Sequence, residues 1–285
     1  MKPETNLNPS ESASDAVRRL VESHGGQLYG LAKRFCGNAD EAEDLVQEVY
    51  LQAFKHWDTF RHEASEKSWL FTIAAHACQR MHRRHTGEPE RIGSLDELLP
   101  FGDPLIAVVP SEQSDELQRQ IESDARTRIE SAIASLPDEF RIPLVLKEIV
   151  GFSVREVAGI LGLEEGTVRS RLHRARLKLR AAVDAVIPRT TEAAPPPAYP
   201  ERTCLDLLNA KQEALDRGVP FDTRVICQRC QSVFASLDLT SQVCHDLAEG
   251  ELPPGLRERL LERVSGPVIA RSGESRGVEK SSKKS

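Results

Sequence analysis

Residues 153–180 read SVREVAGILGLEEGTVRSRLHRARLKLR, the pattern of two short helices around a turn. Val154, Val157, Ala158 and Leu161 share one face of the first helix. Gly162 suits the turn that follows, because glycine takes positive φ without steric cost. A second helix is predicted from about Glu165. At about 100° per residue, Val168, Leu172, Ala175, Leu179 and Val183 form a narrow stripe that must be buried. Ser170, His173 and Arg174 lie opposite that stripe, flanked by Arg169, Arg171, Arg176, Lys178 and Arg180. Residues 166–182 hold six bases and no acid. Such a helix-turn-helix lays its second helix in the DNA major groove. Arginine there bridges guanine O6 and N7, and the flanking bases neutralise phosphates. A basic run alone is usually a solvated face; the turn, the stripe and the missing acids together favour DNA.

Working outward, the composition fits a soluble, helix-rich chain. Of 285 residues, 39% are apolar, 29% charged and 5% aromatic. Apolar runs such as Leu105–Val109 fall far short of the ~20 residues of a membrane span. The polar first sixteen residues show no secretory signal. The six cysteines are therefore expected in a reducing compartment, the cytoplasm. The net charge of −6 argues against nucleic acid, but charge is blocked along the chain. Residues 86–126 carry ten acids and three bases, whereas the second helix is basic, and local blocks are what meet partners.

Helical spacing also runs from Asp15 to about His85. Val17, Leu20, Val21, Leu28, Leu31 and Phe35 form one stripe; Ala42, Leu45, Val46, Val49, Ala53 and Trp57 form another. Asn38 offers a helix start between them, and a third helix is predicted from near Ser68. Trp69 is expected in its core. The glycines, prolines and acids of 87–126 predict a mostly unpacked linker. The division that results is a disordered lead at 1–14, a helical body at 15–86, the linker at 87–126 and a second helical body at 127–187. A proline-rich spacer follows at 188–203, then a cysteine segment at 204–265 and a disordered tail at 266–285. The expected fold class is all-α. No P-loop, dinucleotide motif, HExxH or nucleophile elbow occurs, so an enzyme is not expected.

Three stretches around the turn motif, LPDEFRIP at 136–143, GFSVREVA at 151–158 and GTVRSRLHRAR at 166–176, resemble region 4 of the extracytoplasmic-function sigma factors of the sigma-70 family. That resemblance implies a module that reads the −35 promoter element and binds the flap of RNA polymerase. It carries the base and phosphate contacts onto Arg169, Ser170, Arg171, His173 and Arg174. AEDLVQEVYLQAF at 42–54 is similar to sigma region 2.2, which implies polymerase clamp contacts at Asp44, Gln47 and Glu48. Residues 69–85 resemble regions 2.3 and 2.4, which melt the −10 element and hold an unstacked base. The implied DNA contacts are His76, Arg80, Arg83 and Arg84, with the loop from Arg61 to Lys67 lining the base pocket. His76 stands where the family usually has asparagine, and its different donor set predicts a changed −10 preference. The acidic linker would thread the polymerase channel where nascent RNA runs. The expected partners are core RNA polymerase and promoter DNA, and the family admits a separate anti-sigma factor; no membrane partner is expected. The rival reading is a stand-alone helix-turn-helix activator or repressor.

Six cysteines divide into two sets. Cys36 and Cys78 lie in the first helical body and read as buried apolar residues. Cys204, the pair Cys227 and Cys230, and Cys244 beside His245 fall in the C-terminal segment. Zinc takes four sulfur or nitrogen ligands in a tetrahedron, so the candidate set is Cys204, Cys227 and Cys230 with Cys244 or His245 as the fourth. Metal or redox sensing, a purely structural zinc, and unliganded buried thiols all remain open. The segment weakly resembles the zinc-binding anti-sigma domains, although Thr223 occupies the position of their histidine.

Overall fold

The computed structural model describes residues 11–36, 38–60, 64–85, 115–190, 195–224, 226–248 and 251–265. The expected lead and tail, and most of the acidic linker, lie outside these residues. Among the described residues the architecture is all-α.

Helices α1 (Ala13–Cys36), α2 (Ala39–His56) and α3 (Glu66–His85) build the first body. Asn38 caps α2 by accepting the backbone N–H of Glu41 at 2.8 Å, satisfying a donor the helix cannot. The two stripes read from the sequence meet face to face: Leu20, Leu28, Leu45, Val46 and Val49 are fully buried. Buried Tyr50 keeps its hydroxyl satisfied by donating to the carbonyl of Leu20 at 3.1 Å. Trp69 is half-buried, tilted against Phe60 at a ring separation of 5.0 Å and edge-on to Trp57 at 5.8 Å.

The second body contains α4 (Asp115–Ser135), α5 (Asp138–Leu144), α6 (Val154–Leu161) and α7 (Glu165–Asp184). Here the structure departs from the sequence reading: the last part of the predicted linker is helical. Ile121 and Ala125 are buried, extending a stripe that continues through Ile129 and Ile133. Pro143, which lacks an N–H, sits near the end of α5, and a π-helical turn at Val145–Ile149 follows. Ser153 and Glu156 form a reciprocal capping box at the start of α6. Gly162 closes α6 at φ 63°, a left-handed conformation that makes the sharp turn into α7.

Three more helices follow: α8 (Glu201–Arg217), α9 (Gln228–Asp246) and α10 (Pro254–Ser265). They do not stand apart. One continuous apolar core runs through both helical bodies and takes in Leu239, Val243 and Cys244 of α9 and Leu256 and Leu260 of α10. A smaller core joins Leu177 of α7 to Cys204, Leu208, Cys230 and Phe234. The two bodies also touch directly. Phe71 of α3 packs edge-on against Phe152 at 5.4 Å, and Lys67 donates to the carbonyl of Val150 at 3.0 Å.

Candidate nucleic-acid interface

Helix α7 is fixed by its apolar stripe: Val168, Leu172, Ala175, Leu179 and Val183 are all fully buried. That burial turns Arg169 and Ser170 out to solvent and leaves Arg171, His173 and Arg174 half-buried. Arg171 reaches Glu139 at 3.5 Å, and Arg169 pairs with Glu165 one turn back at 2.6 Å. The five sequence-predicted residues therefore lie on the half of one helix that is turned away from its buried stripe.

Arg176 and Arg180 behave differently from the flanking bases the wheel made them. Both are buried. Arg180 pairs with Asp184 at 2.7 Å. Arg176 donates twice to Glu148, at 3.0 and 2.6 Å, and to the side chain of Gln212 at 3.0 Å. Its remaining partner is Asp216, 2.8 Å away at the end of α8. Burial penalises both charges of the Arg176–Glu148 pair, but each stabilises the other. Glu148 is held below the ordinary carboxylate range and Arg176 above its own.

Asp216 also faces His173 at 3.9 Å and Arg169 at 4.0 Å, with only 4% of its side chain exposed. It meets three basic side chains, yet neither carboxylate oxygen has a well-directed hydrogen bond. The contact is electrostatic. Desolvation lowers the His173 pKa, and Arg176 and Arg169 push the same way against the opposing pull of Asp216 and Glu213.

On the first body, Asp44 is exposed and Gln47 and Glu48 are half-buried. They line a cleft of about 470 Å³ with Leu51, Arg80 and Arg263, so the third wall comes from α10. Arg259 of α10 pairs with Glu43, and Arg257 pairs with Glu22 at 3.2 Å. His76 and Arg80 are exposed on α3. Arg83 and Arg84 lie in its last turn, with side chains outside the described ones; Arg61 to Glu63 of the predicted base pocket are also outside.

The cysteine set divides. Cys204, Cys227 and Cys230 line one cavity of about 300 Å³ between α8 and the start of α9. Burial raises Cys230 to about 12, with its neighbours Cys227 and Cys204 adding to the shift. Desolvation would raise Cys227 too, but backbone N–H groups of Cys230, Ala198 and Arg229 bring it below an ordinary thiol. Cys244 is elsewhere, fully buried on α9 near Glu148, Arg176 and Arg34. His245 is exposed beside a separate cleft with Lys147 and Gln242. Neither lines the cavity of the other three cysteines, and among the described residues no group of three or more His, Cys, Asp or Glu is gathered as a candidate metal site.

Sequence reasoning missed Asp216, Glu148, Gln212, Arg257 and Arg259. No spacing marks them, since each acts on a helix remote in sequence.

Two family models match the chain: Sigma-70 region 2 over residues 20–88, and Sigma-70 region 4 over residues 126–179. The ECF RNA polymerase sigma factor SigL of Mycobacterium tuberculosis is 35% identical over 167 residues, 58% of this chain and 86% of that one. The ECF RNA polymerase sigma factor SigW of Bacillus subtilis is 30% identical over 176 residues, 58% and 88% of the two chains. The ECF RNA polymerase sigma factor SigE of Mycolicibacterium smegmatis is 35% identical over 170 residues, 60% of this chain but only 62% of its own length. Among solved structures, the sigma factor RpoE in complex with the anti-sigma factor NepR from Bartonella quintana is 26% identical, with a TM-score of 0.42. It covers 60% of this chain and 97% of that one.

Proposed function

The chain belongs to the extracytoplasmic-function RNA polymerase sigma factors of the sigma-70 family, and from that premise we propose how its surfaces divide the work of promoter selection. The acidic face of α2, with exposed Asp44 and half-buried Gln47 and Glu48, docks on the clamp coiled coil of core RNA polymerase. Exposed His76 and Arg80 of α3, with Arg83 and Arg84 of its last turn, take the −10 element. Arg169, Ser170, Arg171, His173 and Arg174 of α7 read the −35 element, while the second body engages the flap. The chain performs no bond chemistry of its own; it positions the polymerase. It works where that enzyme works, in the bacterial cytoplasm, and among the described residues no helix is long and apolar enough to cross a membrane.

The observation that carries this reading is the paired match to regions 2 and 4 in that order, on bodies that present an acidic and a basic helix. A stand-alone activator or repressor needs a helix-turn-helix but no region 2. The reading is tested by adding the full chain, in excess, to purified core polymerase on genomic DNA fragments. Specific transcripts that depend on the chain are expected. Arg174→Ala is expected to weaken −35 recognition by about 1–3 kcal/mol. Polymerase that initiates no more selectively with the chain than without it would overturn the reading.

A further inference from the structure

Two of the three C-terminal helices, α8 and α10, place charges opposite in sign to the surfaces they touch. An acid of α8, Asp216, sits among Arg169, His173 and Arg176 of the basic helix α7. It occupies a place where a DNA phosphate would meet the same cations. Bases of α10 sit on the acidic helices of the first body: Arg257 on Glu22 of α1, and Arg259 on Glu43 of α2. Arg263 stands in the cleft with Asp44, Gln47 and Glu48. Shape agrees with charge. Leu256 and Leu260 are buried in the common core, and Leu252 fills the space over Gly25 of α1, where an added Cβ would come within 3.0 Å of it.

Size gives a second, independent argument. Two elements ~25 base pairs apart are separated by ~85 Å of B-DNA at ~3.4 Å per step. A compact chain of this length has a radius of gyration of ~19 Å and is ~50 Å across. Both bodies share one core here and touch through Phe71 and Phe152, so this arrangement cannot span both elements. The 29 residues from 86 to 114 reach ~100 Å when extended, enough to bridge the gap once the bodies part.

We propose that α8–α10 are a built-in inhibitor of the chain, a self-docked segment that sets an acid against one side of the −35 helix and bases on the polymerase helix. Core polymerase and promoter DNA must displace it. The proposal rests on the sigma reading above and adds a closed state to it. If only an open fraction binds, the apparent affinity for polymerase falls by that fraction.

The test uses the full chain in three forms: unsubstituted, Asp216→Asn with Arg259→Glu, and Gly25→Leu, which fills the Leu252 seat without touching a charge. Core polymerase binding is measured by titration. Opening is measured separately, as the alkylation rate of Cys244 followed by peptide mass spectrometry. Both altered forms are expected to alkylate at least tenfold faster and to bind polymerase at least tenfold more tightly. Polymerase is also expected to speed Cys244 alkylation in the unsubstituted chain, because the linkage is reciprocal. Equal polymerase affinity across forms that differ in alkylation would overturn the proposal alone, and so would equal alkylation in all three. No polymerase binding by any form, with the alkylation difference intact, would overturn the sigma reading and the inhibition together.

Discussion

Arg174 and Arg176 stand two residues apart on one helix and have opposite fates. Arg174 remains at the surface of α7, whereas Arg176 is 2% exposed and tied to Glu148, Gln212 and Asp216. A helical wheel separates the apolar stripe from its opposite face, because both follow from local geometry. It cannot rank the flanking positions, since those depend on what another helix brings alongside. His173 shows the same dependence and makes it measurable. Its pKa is lowered in the closed arrangement, with desolvation the main cause; Asp216 and Glu213 face it from α8, and Arg169 and Arg176 from α7. The unfolded chain, with an ordinary imidazole at 6.5, therefore binds more protons than the folded one. The His173 contribution is fully in place above the ordinary value and is lost as pH falls from there through the lowered one. His24 is lowered in the same sense by its own burial, so the comparison must isolate His173. Denaturant midpoints at pH 7.5 and 5.5 are expected to fall less for His173→Gln than for the unsubstituted chain. Equal losses would remove His173 from the account.

Among the elements, the turn between α6 and α7 was the most legible, because each part is a local device. The Ser153–Glu156 box starts α6 and Gly162 ends it in the left-handed region, with open space around the missing Cβ. Sterics therefore do not forbid a side chain there; backbone conformation does. Gly162→Ala is expected to cost ~1–2 kcal/mol, seen as a lower thermal midpoint without loss of helix content. An unchanged midpoint would show that the turn relaxes to another conformation. The opposite case is α4. Its acid-rich first half was predicted as linker through residue 126, yet Ile121 and Ala125 carry the four-residue spacing of Ile129 and Ile133 backward and are buried with them. Average composition masked a stripe that periodicity alone contained. The cysteine segment shows a third outcome. Cys227 and Cys230 lie together because one helical turn joins them, and Cys204 arrives from α8. Cys244 is carried to the other part of α9, where it meets the second body instead.

For the whole molecule, the decisive feature is that α9 and α10 join the core common to both bodies, α8 joins α7 through a smaller one, and several ion pairs tie these helices to both bodies. The ion pairs differ in their exposure. Arg257 and Glu22 are about half exposed, while Arg176 and Asp216 are nearly excluded from water. Screening acts on exposed charges beyond ~10 Å at 0.1 M salt and much less on buried ones. Raising salt from about 0.05 to 0.5 M is therefore expected to speed Cys244 alkylation only modestly, with apolar seating and the buried network keeping the chain closed. A steep rise, tenfold or more, would show that the exposed α10 pairs alone hold the closure.

By itself the sequence determined the all-helical class, the order of the two sigma modules and the face of α7 that lies opposite its buried stripe. Periodicity, capping residues and motif wording are properties of neighbouring residues and survive without tertiary contacts. The tertiary structure decided which arginines are spent inside the protein, where each cysteine goes and what rests on the two working helices. Those outcomes depend on meetings such as Arg176 with Asp216 and Glu43 with Arg259. Such pairs are far apart along the chain, and only the packing of α8–α10 against both bodies brings them together.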